Sequence, residues 1–274
     1  MLENESFSKR LGYSIVPPPI SIWDDAPENF RYRVLQVAND ELEFTPGSLR
    51  DIVCKILRKR PDPTNWSPYP NIWEEMETLA MCCEWFKFYD IVEAIAENLR
   101  TKHVRYNGSY VNGLQQFDVL VSELMVDLGM GWKLQNGVIQ VRGEDSYEEH
   151  LALAMTALAQ SNRPTAINEL KESIRDISRR PTADNSGAIQ HAMAALECVA
   201  RDVAGDRNPT LGTLIKNHPG LIPKPVDKAI EKLWGYASEI ARHGREGNEP
   251  SREEAMLTVG IAASLVNYLI HKTE

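Results

Sequence analysis

A chain of 274 residues, 43% hydrophobic and 25% charged, holds one large or two ordinary domains, each able to bury a core without crosslinks. Its formal net charge of -9 excludes a general positive coat for nucleic acid and leaves only local basic sites. The four cysteines, Cys54, Cys82, Cys83 and Cys198, form no C-x-x-C pair and have no histidine at ligand spacing, so neither metal nor cofactor is expected and reduced, buried thiols are. The opening "MLENESFSKR" lacks the positive start and apolar run of a secretory segment, and "VGIAASLVNYLI" reads as too short to cross a bilayer. A soluble, cytoplasmic protein with no membrane contact is the expectation.

In chain order, "PENFRYRVLQVANDEL" reads as a short helix, and "TPGSLRDIVCKILRKR" as a second one with a Thr45 cap and apolar residues at helical spacing. The proline-rich "PDPTNWSPYPN" must be a loop. "IWEEMETLAMCCEWFKFYDIVEAIAENLR" follows as one long amphipathic run, whose aromatics Trp73, Trp85, Phe86 and Phe88 suit core packing better than ligand stacking. In "GWKLQNGVIQVRG" the pair Asn136-Gly137 supplies the positive φ angles of a two-residue turn between alternating apolar residues, which predicts a β-hairpin over 132–141. A hairpin of this size needs helices to lie against.

From residue 146 the pattern is helical: "SYEEHLALAMTALAQ" with a Ser146 and Glu149 capping box, "PTAINELKESIRDISRR" opening on a proline, and "AIQHAMAALECVARDVAG" stopped by Gly205. "DRNPTLGTLIKNHPGLIPKP" reads as a broken connection before two last helices, from about Pro225 to Arg242 and from Ser251 to about Ile270. The expected fold is mainly α: an N-terminal domain over 1–145 with one hairpin, and a helical bundle over 146–274. The basic runs "KILRKR" and "RDISRR" each end against a proline, where cations complement a helix C-terminus or contact an RNA backbone.

Two polar groups sit awkwardly on apolar faces. Glu197 falls in the middle of a stripe formed by Met193, Leu196, Ala200 and Val203, where a carboxylate is costly without a partner; Arg201, one turn on, is the nearest candidate. His243 closes the next-to-last helix at the edge of its stripe, with Glu239 one turn earlier, Arg242 beside it and Gly244 after it. Its residue types serve either a helix end, where protonated His meets the macrodipole, or acid–base chemistry with Glu239 as the nearby carboxylate. The other histidines show no such setting, and His191 lies opposite the apolar face of its helix. No phosphate-binding glycine loop, nucleophile elbow or zinc signature occurs.

"ALECVARDVAGD", "TLGTLIKNHPG", "LWGYASEIARHGREG" and "PSREEAMLTVGIAASLVNYLI" together resemble the HEPN-like C-terminal region of bacterial abortive-infection proteins. "FSKRLGY", "SLRDIVCKILRKRPDPTNWSPYPNIWEEM" and "GWKLQNGVIQVRG" resemble an N-terminal domain of the AbiJ group. The resemblance implies a dimeric helical bundle and, in many members, a metal-independent ribonuclease used in phage defence or as a toxin. In those members Arg, often followed by Asn, precedes the histidine by roughly four to six residues; here Ser238 and Glu239 stand at those positions, while His243-Gly244 matches the family's ending. The implied roles are His243 as base or acid, Arg242, Arg245 and Arg201 on phosphate, and Glu197 and Glu239 lining the same cleft. The implied partners are RNA, a second copy through the C-terminal helices, and an antitoxin or other defence protein. The alternative is a non-catalytic module of the same family that senses, binds nucleotides or scaffolds. The last helix, with Met256, Val259, Ala263, Val266 and Ile270 on one stripe and Ile261, Leu265 and Leu269 beside it, is either a subunit contact or a buried central helix.

Overall fold

The computed structural model describes residues 18–242 and 249–272, without the side chains of residues 241 and 242. It is mainly α-helical, and the chain divides into two compact units, Met1–Arg142 and Gly143–Glu274.

Unit 1 begins with α1 (Glu28–Gln36), which passes into a π-helical turn over Val37–Glu41, so the first predicted helix is interrupted near its end. In α2 (Pro46–Leu57) Thr45 accepts from Ser48 N at 3.2 Å, the cap expected from the sequence, and Leu49 and Val53 are buried. The proline-rich segment is a loop braced by one carboxylate: Glu75 takes Arg50 Nη1, Asn65 Nδ2 and the backbone N–H of Asp62, between 2.7 and 3.0 Å.

The long run after this loop is divided into α3 (Trp73–Met81) and α4 (Trp85–Leu99). The division is stabilised by Arg31 of α1, which donates Nη1 to the carbonyls of Ala80 at 2.8 Å and Cys83 at 2.7 Å, and Nε to that of Ala26 at 2.6 Å. Of the aromatics assigned to the core, only Phe88 is fully buried; Phe86 is 44% exposed and Trp73 and Trp85 are half-buried. Cys54 is buried, but Cys82 is exposed, which corrects the expectation of buried thiols throughout.

Strands β1 (His103–Tyr106) and β2 (Ser109–Asn112) form a hairpin that the sequence reading did not anticipate. Its turn has the same chemistry as the predicted one, Asn107-Gly108 with φ of 47° and 82°. Helix α5 (Gly113–Asp127) follows, capped by Asn112, and then the predicted hairpin, β3 (Trp132–Gln135) and β4 (Val138–Val141), with Asn136 and Gly137 at φ 53° and 76°. The hairpin does lie on helices: Ser122 of α5 bonds both Leu134 N and Leu134 O, and Glu93 of α4 accepts from Ile139 N. At its entry Gly131 packs so closely on Trp23 that a Cβ there would lie 2.2 Å from the ring.

Unit 2 comprises α6 (Asp145–Gln160), α7 (Pro164–Ser178), α8 (Asn185–Ala204), α9 (Leu211–Asn217), α10 (Val226–Arg242) and α11 (Arg252–His271). Helix α6 starts one residue before the predicted cap: Ser146 is inside it, no side chain caps its N-terminus, and Glu148 reaches back to Gly143 N at 2.8 Å. Helix α9 occupies part of the segment read as a broken connection.

Helix α11 begins at the expected Ser251–Glu254 capping box and buries Ala255, Val259, Ala262, Ala263, Val266 and Leu269 against α8 and α6. It runs 20 residues, with a mean hydropathy of 1.3 over its most apolar window, so by length and composition it is long enough to cross a bilayer, contrary to the sequence reading. Contacts inside unit 2 account for much of that apolar surface.

Candidate functional site

Glu197 finds the partners its apolar position demands. Its Oε1 lies 2.5 Å from Arg201 Nη2, and its Oε2 accepts from Leu211 N at 2.7 Å. Leu211 is the first residue of α9, whose preceding Thr210 gives no side-chain cap, so the Glu197 carboxylate caps that helix from a neighbouring one. Arg201 in turn donates Nε to Pro209 O at 2.9 Å. The pair thus holds the corner between α8 and α9. Glu197→Ala leaves the Leu211 N–H without its acceptor and is expected to destabilise unit 2 by about 2 kcal/mol, measured by denaturant unfolding.

Glu239 is exposed on the last turn of α10. Arg242 is the last described residue of that helix. His243 and Arg245 lie outside the described residues. Among the described residues, no group of His, Cys, Asp and Glu is arranged to hold a metal ion.

Packing of α7 on α8 creates an acid–base cluster that the sequence reading missed. His191 Nδ1 lies 2.6 Å from Glu169 Oε2, and its Nε2 lies 3.6 Å from Asp176 Oδ2. Asp176 is only 3% exposed at its side chain and meets Arg179 Nη2 at 2.8 Å. Arg179 also reaches Asp184, which caps α8 by accepting from Gly187 N at 2.7 Å. A Cβ on Gly187 would lie 2.6 Å from carboxylate oxygens of both Asp176 and Asp184, so glycine alone fits without displacing the cluster. These contacts engage Arg179 of the basic run "RDISRR", whose Arg175 pairs with Glu172. A histidine held between carboxylates has the elements of a general acid–base group with an orienting partner. The available signal was the spacing of Glu169, Glu172 and Asp176 along one side of α7, but only packing brings His191 to them.

Burial raises the Asp176 carboxyl above its ordinary value of 3.8, helped by Asp184 and Glu172 and opposed by Arg179 and His191. Asp176 therefore holds its proton more readily in the folded state than in the unfolded chain. Its contribution to stability is present below the ordinary aspartate range and is lost as pH rises through the raised value. Asp176→Asn is expected to remove that loss, raising the melting temperature of unit 2 at neutral pH by a few degrees while changing it little near about pH 3.

Residues 5–155 match a family model described as AbiJ N-terminal domain 4. The matched segment covers all of unit 1 that the structure describes and continues into α6. No curated protein and no solved structure matches the chain.

Proposed function

For a chain that belongs to the AbiJ N-terminal domain 4 family, we propose a role in abortive infection against phage, in which unit 2 is a HEPN-like bundle that cleaves RNA without a metal ion. The observation that carries this reading is the join of an AbiJ-type N-terminal region to a helical unit whose sequence, after α10 (Val226–Arg242), continues with His243-Gly244. His243 takes the proton of the ribose 2′-hydroxyl as that oxygen attacks phosphorus, or returns a proton to the departing 5′-oxygen as its bond to phosphorus breaks. Arg242 and Arg245 hold the phosphate oxygens, and Glu239, one turn before the histidine, orients the imidazole. Glu197 acts by holding the α8–α9 corner, not as a proton carrier. Arg201 shares that task, with a residual donor for phosphate.

A dimer completes the reading. The outer side of α11 carries Leu257, 64% exposed, and Tyr268, 39% exposed, with Ile261 between them at helical spacing, which suits a second copy of the chain. Solution mass measures that association directly.

The second reading, a non-catalytic module acting through a partner, is favoured by one observation: Glu197 and Arg201 are occupied with each other and with backbone groups. Cleavage of total bacterial RNA by purified protein in EDTA separates the two. EDTA-resistant cleavage supports the ribonuclease, whereas protection of a host from phage by a chain that cleaves no RNA supports the module.

A further inference from the structure

The start of α7 and the last turns of α8 enclose a cleft of about 290 Å³, lined by Arg163, Arg201 and Arg207 together with Thr165, Cys198 and Asp202. The three guanidinium groups differ in how far they are satisfied. Arg163 places Nη1 2.8 Å from Asp202 Oδ2, while its Nε is buried without a hydrogen-bond partner. Arg201 is bound by Glu197 and Pro209 O as described above. Arg207 is exposed and makes no hydrogen bond or ion pair with a described residue.

The backbone adds to this charge. Helix α7 has Pro164 at its first position and no side-chain cap, so the N–H groups of Thr165 and Ala166 at the cleft wall have no intrahelical acceptor. Asp202 and Glu197 offset Arg163 and Arg201, which leaves Arg207 uncompensated beside the positive end of the α7 dipole. A planar carboxylate presents its acceptors on one edge only. A tetrahedral phosphoryl group presents oxygens in several directions at once, which suits donors converging from two side chains and a helix start. The cleft is larger than a phosphate ion alone and sits at the lower end of the sizes found for small-molecule sites.

We propose that this cleft binds the phosphoryl group of a nucleotide, either a free mononucleotide or one link of an RNA backbone. The cleft shares Arg201 with the ribonuclease reading and is otherwise independent of it: phosphate binding here persists even where His243 cleaves nothing.

Isothermal titration of the full chain with AMP, inorganic phosphate and a short oligouridine at low salt tests the assignment. AMP is expected to bind saturably, and Arg207→Ala to weaken it by about tenfold or more, with Arg207→Lys recovering part of the loss through charge without the fork geometry. Arg207 is exposed, so its removal leaves the fold intact; Arg163→Gln, checked by melting, is expected to weaken binding as well. Oligouridine that binds more tightly than AMP and is displaced by it identifies an RNA backbone link as the ligand, and binding of AMP without oligouridine identifies a free nucleotide. His243→Ala is expected to leave the affinities for AMP and inorganic phosphate unchanged. The proposal is overturned by absence of saturable binding of all three probes, or by affinities that Arg207→Ala and Arg163→Gln leave unaltered.

Discussion

His243→Ala is expected to abolish EDTA-resistant RNA cleavage, with a fall of about 100- to 10,000-fold in the single-turnover rate, the range that a positioned general acid or base supplies. Histidine is the side chain best suited to exchange protons near neutral pH, and the proposed reaction needs one such exchange at the 2′-oxygen and one at the 5′-oxygen. Arg242→Ala and Arg245→Ala are expected to lower the rate less individually, because each leaves the other cation beside the phosphate. Growth of a bacterial host reports the same difference: the wild-type chain slows it and His243→Ala does not. Cleavage or toxicity unchanged in that variant removes His243 from the site. Folding is checked in parallel by melting, since a purely structural role for the histidine would lower stability without any selective loss of turnover.

Arg31→Met is expected to destabilise unit 1 by about 3 kcal/mol, the largest stability effect anticipated for a single side chain here. Arg31 is 7% exposed and serves the carbonyls of Ala26, Ala80 and Cys83, with its guanidinium carbon 5.3 Å from the centre of the Phe88 ring. Methionine fills much of the same space but donates nothing. The carbonyls of Ala26 and Cys83 then lose the guanidinium that serves them, and that of Ala80 keeps only the Cys83 thiol, at 3.2 Å. Arg31→Lys keeps the charge yet lacks the planar fork that reaches several carbonyls together, so it is expected to recover only part of the loss. Tryptophan fluorescence during denaturant unfolding reads this effect in unit 1, because every tryptophan except Trp234 lies there. A variant with wild-type stability would show that the α3–α4 turn holds itself without the guanidinium.

Local signals served well where one short segment contains all of its own physics. Asn136-Gly137 and its flanking alternation define the second hairpin, Thr45 and Ser251 cap their helices, and Gly205 at φ 68° ends α8. The first hairpin carries an equivalent Asn-Gly turn, but its strands are too short and too polar to stand out by alternation: only Val104 is buried in it. The division of α3 from α4 depends on a guanidinium from α1, which no periodicity in the divided segment announces. Glu197 stands out in the sequence as a carboxylate on an apolar face, and the structure pairs it with Arg201 while leaving its side chain 21% exposed. That its second partner is a helix N-terminus fourteen residues on is a matter of how α9 packs.

The sequence alone determined the mainly helical class, the caps and turns, the predicted hairpin and the chemical oddity of Glu197, since each depends on residues within a turn or two of one another. Only the tertiary structure decided that Glu197 and Arg201 tie α8 to α9, that His191 meets Glu169 and Asp176, and that Arg163, Arg201 and Arg207 line one cleft. Those groups lie far apart along the chain. Burial of apolar faces brings them together, and that force carries no information about which polar residues become neighbours as a result.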